Sequence, residues 1–259
     1  MNQKSKIMKT LTVFLVLFLL SGVFATNSSA QEKSEQLWLV GTEVIKPEMM
    51  NQYMEINKEL LTICKEVKFP FDFQFWTSGD FKYYLWYPLN SMDDALKIAT
   101  AWDSVVARYG PEKFKRFNDC IEYTEEKFAT VRFDLSYEPA SPRLMEDERH
   151  YCRWQAFYLK KGKEKEMETL VKKANAVSKA KNISDATYIG YGKIGFEMPV
   201  MMLWTFAKSV TDFWEQDSKN WELIKNDFAD INKEAITCFR KEEKKDTWWL
   251  KDLSYSKSK

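Results

Sequence analysis

The chain resembles itself at long range. Laid over itself at a shift of 118, residues 85–137 match residues 203–255 at twelve positions without a gap. Leu85, Trp86, Ser91 and Asp94 fall on Leu203, Trp204, Ser209 and Asp212. Lys115, Cys120, Glu125 and Lys127 fall on Lys233, Cys238, Glu243 and Lys245, and "DLSY" at 134–137 recurs at 252–255. Solenoid repeats run about 20–50 residues, so a shift this long is that of a duplicated domain. Whatever fold the first unit adopts, the second is expected to share.

Each unit reads β-α-β-β-α-β. In the first, "QLWLVGTEVI" is a strand and residues 47–67 form a helix with Met50, Tyr53, Leu60 and Cys64 on one face. "FDFQFWT" and "KYYLWYP" make a hairpin turning at Ser78-Gly79-Asp80, a long helix follows, and "ATVRFDLSY" closes the unit. In the second, "YCRWQAFYL" is followed by a helix carrying Met167, Leu170, Val171, Ala174 and Val177, then by "ATYIGYGKIGF", "VMMLWTF", a second helix and "TWWLKDLSY". Ser91-x-x-Asp94 and Ser209-x-x-Asp212 mark the starts of the long helices: the hydroxyl accepts from an orphan backbone N–H and the acid sits at the positive helix end. Gly110-Pro111 is expected to break the first long helix, whereas the second carries no such break. The first helices align at a shift of 115, which puts three extra residues before the second strand of the second unit.

A β-α-β-β-α-β unit folds as a four-stranded antiparallel sheet with both helices on one face. Two in tandem, over 31–140 and 150–259 with a linker at 141–149, predict an α+β protein. Its two ferredoxin-like repeats would pack sheet to sheet as a pseudo-dimeric α+β barrel. In this element order, the internal repeat and the "VIKPEMM" and "LKKGKEKEM" strand-to-helix turns, the chain resembles the dimeric α+β barrel superfamily. Antibiotic-biosynthesis-monooxygenase-like and NIPSNAP-like families belong to it, and the resemblance covers residues 37–255. Some members bind haem through a helical His, or use His with Asn and Trp to degrade it. Here the single histidine, His150, starts the second unit and no helix carries one, so no cofactor is expected.

Lys4, Lys6 and Lys9 precede an apolar run at 11–20 and then small residues up to Ala30-Gln31, the pattern of a secretory signal peptide. The apolar stretch at 11–25 is shorter than the roughly 20 residues a bilayer span requires. An exported bacterial protein, periplasmic or extracellular and with no stable membrane span after cleavage, is the expectation. Residues 1–30 hold three Lys and no acids, so of 39 basic and 38 acidic side chains 36 and 38 remain. With no long block of one sign, nucleic acid is not an expected partner; the oligomeric state is left open. Cys64, Cys120 and Cys238 lie on or beside helical apolar stripes and Cys152 in a strand; Cys64 with Cys120 is the disulfide to test.

No Gly-rich phosphate loop, nucleophile elbow or zinc-ligand spacing is present, and "EDE" at 146–148 reads as a solvated linker. The strand faces opposite the helices look into the space between the sheets, so polar residues on them are candidate ligand contacts. These are Arg132 and Asp134, their counterpart Asp252, then Arg153, Gln155 and Glu43, with Trp86 and Trp204 as aromatic walls. Arg132 and Asp134 also read as a structural ion pair. The expectation is an exported, non-catalytic protein that binds a small apolar or aromatic molecule between its sheets. The alternative is a cofactor-free monooxygenase-like or isomerase-like enzyme in which a strand carboxylate or Tyr acts as base on an activated aromatic. A second alternative is a structural module that binds a partner through the aromatics near Trp248 and Trp249.

Overall fold

The computed structural model describes residues 34–257, so the expected signal peptide lies outside the described residues. The first half runs β1 (Glu35–Ile45), α1 (Met50–Glu66), β2 (Gln74–Thr77), β3 (Lys82–Leu89), α2 (Asp93–Tyr109), α3 (Pro111–Cys120) and β4 (Ile121–Arg132). The second runs β5 (Tyr151–Leu159), α4 (Glu164–Ala180), β6 (Thr187–Gly192), β7 (Val200–Ala207), α5 (Val210–Cys238) and β8 (Phe239–Trp249). Gly110, at φ 103°, separates α2 from α3, while α5 is continuous. No helix among the described residues is long and apolar enough to cross a membrane.

All eight strands join in one closed antiparallel barrel of order β1-β3-β2-β8-β5-β7-β6-β4. The halves therefore share one internal order, β2-β3-β1-β4 and β6-β7-β5-β8, and meet at two short seams. One seam pairs Trp76 with Trp249 and Thr77 with Trp248; the other pairs 129–131 with 190–192. Gly190 sits in the second seam because nothing larger fits: a Cβ there would lie 2.0 Å from the Thr130 carbonyl and 2.7 Å from the Trp204 ring.

The registers also agree. Val40 lies opposite Trp86 and Trp154 opposite Trp204, so the first strands correspond at a shift of 114 (154 less 40) and the third strands at 118 (204 less 86). A bulge falls at Val44/Ile45 and at Tyr158/Leu159, again 114 apart. The expected shift of 115 is thus corrected. The extra residues lie after the second strand: Thr77 pairs with Tyr83, but Tyr191 pairs with Met201, so the β6–β7 hairpin is four residues longer.

Strand alternation splits the apolar residues between three larger cores and a small one at Tyr151, Ala207 and Phe213. On β1 Leu39 and Ile45 face α1, where Tyr53, Ile56, Leu60 and Cys64 recur on one helical face. Leu159, Met167, Leu170, Ile189 and Met201 form the equivalent core under α4 and α5. The opposite strand faces supply Val40, Trp76, Tyr84, Ala156, Met202 and Trp204 to the barrel interior. All four cysteines are buried and free, Cys64 and Cys120 included.

DLSY was expected as the last strand of each unit, and this is corrected. β4 ends at Arg132 and β8 at Trp249, and each DLSY is a clasp onto the other half. Tyr137 bridges to Thr187, and Tyr255 to Phe73. Ser136 Oγ accepts from the Ile189 N–H at 3.0 Å, and Ser254 Oγ from the Phe75 N–H at 2.9 Å. Leu135 is buried in the second half's helix core and Leu253 in the first half's. The strands begin earlier than expected because 122–126 and 240–244 are exposed on both faces. A strand solvated on both sides carries no period-2 apolar signal.

Candidate functional site

The barrel encloses a cavity of about 430 Å³, within the roughly 300–1,000 Å³ of small-molecule sites. Five indoles line it, Trp38, Trp76, Trp86, Trp154 and Trp204. Trp38, Trp86 and Trp204 form an edge-to-face row, with centroids 6.0 and 5.9 Å apart. The first half contributes the small side chains Val40, Thr42 and Val44 to the wall.

One polar chain crosses this wall. Lys245 Nζ, in β8, donates to Tyr84 Oη, in β3, at 2.8 Å. Tyr84 Oη lies 3.1 Å from Ser78 Oγ, and Ser78 donates to the Asp80 carboxylate. Each hydroxyl has one proton, so the directions follow. Ser78 gives its proton to Asp80, Tyr84 gives its own to Ser78, and Lys245 donates into Tyr84. Burial acts to raise the Asp80 pKa, but hydrogen bonds from Ser78 and Lys82 outweigh it and hold the carboxyl below its ordinary value. Asp80 is therefore an ionised acceptor at neutral pH, on the β2–β3 turn at the protein surface. Lys245 also lies 5.2 Å from the Tyr84 ring centroid and 5.5 Å from that of Trp154. Cys152 lines the cavity too, but burial drives its thiol pKa far up and keeps it protonated.

The rim is charged. Lys82 pairs with Asp80 at 3.2 Å and Lys127 with Glu125 at 2.6 Å. Glu146 and Arg149 reach the cavity from the linker, which Arg143 pins through Asp185 and Asp212, both at 2.8 Å. Glu146 is thus part of a cavity rim. The Arg149 guanidinium lies over the rings of Tyr188 and Phe206, at 5.4 and 5.5 Å.

Of the residues singled out in the sequence, Trp86 and Trp204 line the cavity. The others do not border it. Arg132 grips Asp134 with two bonds of 2.7 Å and reaches toward Glu168 of α4, on the helix side of the sheet. Arg153 pairs with Asp246 at 2.6 Å beneath Phe213 and Trp214 of α5, and Gln155 donates to Glu242. Asp252 is exposed in the turn after β8. Glu43 lies under α1, where Tyr53 donates to it; burial raises its pKa to about 7 despite that bond. Tyr84 and Lys245 escaped sequence reasoning as site residues. The available signal was the match of Lys127 with Lys245, a cation repeated inside a strand.

Comparison with known proteins gives a fold. No family model matches the sequence, and no curated protein is significantly similar to it. Among solved structures, an anthrone oxidase-like protein is 12% identical with a TM-score of 0.54, over 85% of this chain and 92% of that one. A candidate monooxygenase from Fusobacterium nucleatum is 12% identical with a TM-score of 0.53, over 86% and 99%. A mutant chlorite dismutase from Candidatus Nitrospira defluvii, in complex with cyanide, is 7% identical with a TM-score of 0.50, over 86% and 94%. The chain shares their fold, an α+β barrel. The three carry names of enzymes, which corrects the expectation of a non-catalytic binder.

The fold raises the question of a haem. His150 is exposed, stacks on Trp249 at 6.4 Å and does not border the cavity. Among the described residues no group of three or more His, Cys, Asp or Glu is placed to hold a metal ion. The residues do not fit a histidine-ligated haem.

Proposed function

We propose that the protein is an exported, cofactor-independent enzyme of the monooxygenase-like kind, acting on an activated aromatic molecule inside the barrel. The observation that carries this reading is the chain Lys245–Tyr84–Ser78–Asp80, which joins the aromatic cavity to an ionised surface carboxylate. A substrate proton passes to Tyr84 Oη as the Tyr84 proton moves to Ser78 and the Ser78 proton to Asp80. Tyr84 thereby serves as a general base without standing as a free phenolate, and the Lys245 ammonium stabilises the negative charge that develops. An anthrone-type substrate, with an acidic methylene between rings, suits both the indole walls and this chemistry. Its carbanion supplies electrons to dioxygen, so that CH₂ and O₂ become C=O and water. The shared strand order and registers support descent of the two halves from one duplicated unit.

The test is dioxygen uptake with anthrone, in chelator and without added flavin or haem. Protein-dependent uptake, matched by anthraquinone formation and lowered in Asp80→Asn, is the expected result. Uptake no faster than in buffer would remove the oxygenase reading.

A further inference from the structure

Four cations border the cavity, and they divide into two kinds. Lys82 and Lys127 are neutralised by Asp80 and Glu125. Lys245 and Arg149 form no ion pair within 4.0 Å among the described residues and lean instead on aromatic rings. The carboxylates of Asp80 and Glu243 act on Lys245 only at longer range. Lys245 has three N–H donors, and among the described residues its one hydrogen bond goes to Tyr84.

The wall beside that ammonium is aromatic. Lys245 sits over the Trp154 indole, and Trp86 and Trp204 line the same cavity. The polar group with N–H donors to spare in this part of the cavity therefore bears a full positive charge, among rings that suit an aromatic body.

We propose that the cavity selects aromatic molecules bearing an anionic oxygen group, seated on Lys245 Nζ, with the ring system among the tryptophans. This rests on the barrel cavity being the substrate site and adds its ligand class. Arg149, at the linker side of the cavity, draws such anions in. The neighbouring Tyr84 explains the placement: an anion held on Lys245 sets the reacting ring beside the base.

The experiment compares 2-naphthoate with its neutral isostere 2-naphthamide by quenching of tryptophan fluorescence and by calorimetry. The protein, Lys245→Met and Arg149→Met are taken side by side after each has been shown to be folded. A charge-assisted hydrogen bond is worth about 1.5–3 kcal/mol, so naphthoate should bind at least about tenfold more tightly than the amide. Lys245→Met should abolish that preference, weakening naphthoate at least about tenfold and the amide far less. Equal binding of the two probes overturns the anion seat while the aromatic cavity stands. A preference that survives Lys245→Met and disappears in Arg149→Met overturns the assignment to Lys245. If neither probe binds, both this inference and the reading of the cavity as an aromatic site fall.

Discussion

The two halves of the barrel share strand order, registers and bulges, yet their interior faces differ in purpose. At equivalent positions the first half places Val40, Thr42 and Val44 where the second places Trp154, Ala156 and Tyr158. Tyr84 stands where the second half has Met202, and Lys82 where it has Val200. At these positions the first half leaves space and supplies a hydroxyl where the second fills space, while Trp38 against Cys152 and Trp76 against Gly190 run the other way. The two equivalent lysines show how one residue type acquires two fates. Lys127 is held by Glu125 at 2.6 Å. Its counterpart Lys245 has no such partner, because Glu243 is already engaged by Lys241 at 2.6 Å and by Tyr158 at 2.7 Å. Lys245 reaches across to Tyr84 instead, so the asymmetry between the two lysines is set by what their neighbours already hold.

The outer faces differ in the same manner. Under α1 the first half buries Glu43 against Tyr53, whereas the equivalent positions under α4 are Phe157 and Met167. One half packs hydrocarbon where the other keeps a titrating pair.

Breaking the comparison at Tyr84 should have the largest effect. Tyr84→Phe removes the proton acceptor and is expected to lower kcat by about 10²–10⁴-fold, with naphthoate affinity changed little. Turnover and binding measured on one preparation check this. Next come the clasps: Leu135→Ala and Leu253→Ala each empty a buried site in the opposite half and should cost about 2–5 kcal/mol in urea unfolding. If only one of them destabilises the protein, the halves are not clasped symmetrically. Gly190→Ala forces a Cβ against the Thr130 carbonyl and Trp204 and should cost about 1–3 kcal/mol, whereas a Gly at its counterpart Trp76 should widen the cavity.

The last contrast is set by pH rather than by packing, at Glu43. Its folded pKa, about 7, is raised above the ordinary value of 4.5. Folding thus favours the protonated acid: the contribution is complete below about 4.5 and is lost as pH rises through 7. Glu43→Gln should flatten stability between those limits, read as urea midpoints at pH 5 and pH 8. An unchanged slope would mean that Glu43 does not titrate there.

Much of the fold was legible because the repeat forces both halves to one element order, and the aromatic walls because Trp86 and Trp204 recur at equivalent positions. The closing strands were misread where residues 122–126 and 240–244 are solvated on both faces and lose their alternation. That shift moved Arg132, Asp134 and Asp252 toward an interior they do not reach. Tyr84 was hidden in "KYYLWYP", where aromatics face both ways, one set to α1 and the other to the cavity. Its partner Lys245 lies 161 residues away, so no local spacing joins them; only the closed barrel does.

The most direct test of the account is exchange of the anthrone methylene hydrogens with D₂O, followed by NMR without dioxygen, so that proton abstraction is seen apart from oxidation. Exchange faster than in buffer with the protein, and a return to the buffer rate in Tyr84→Phe, is the expected result. Exchange at the buffer rate with the unaltered protein, or equal acceleration by Tyr84→Phe, would contradict it.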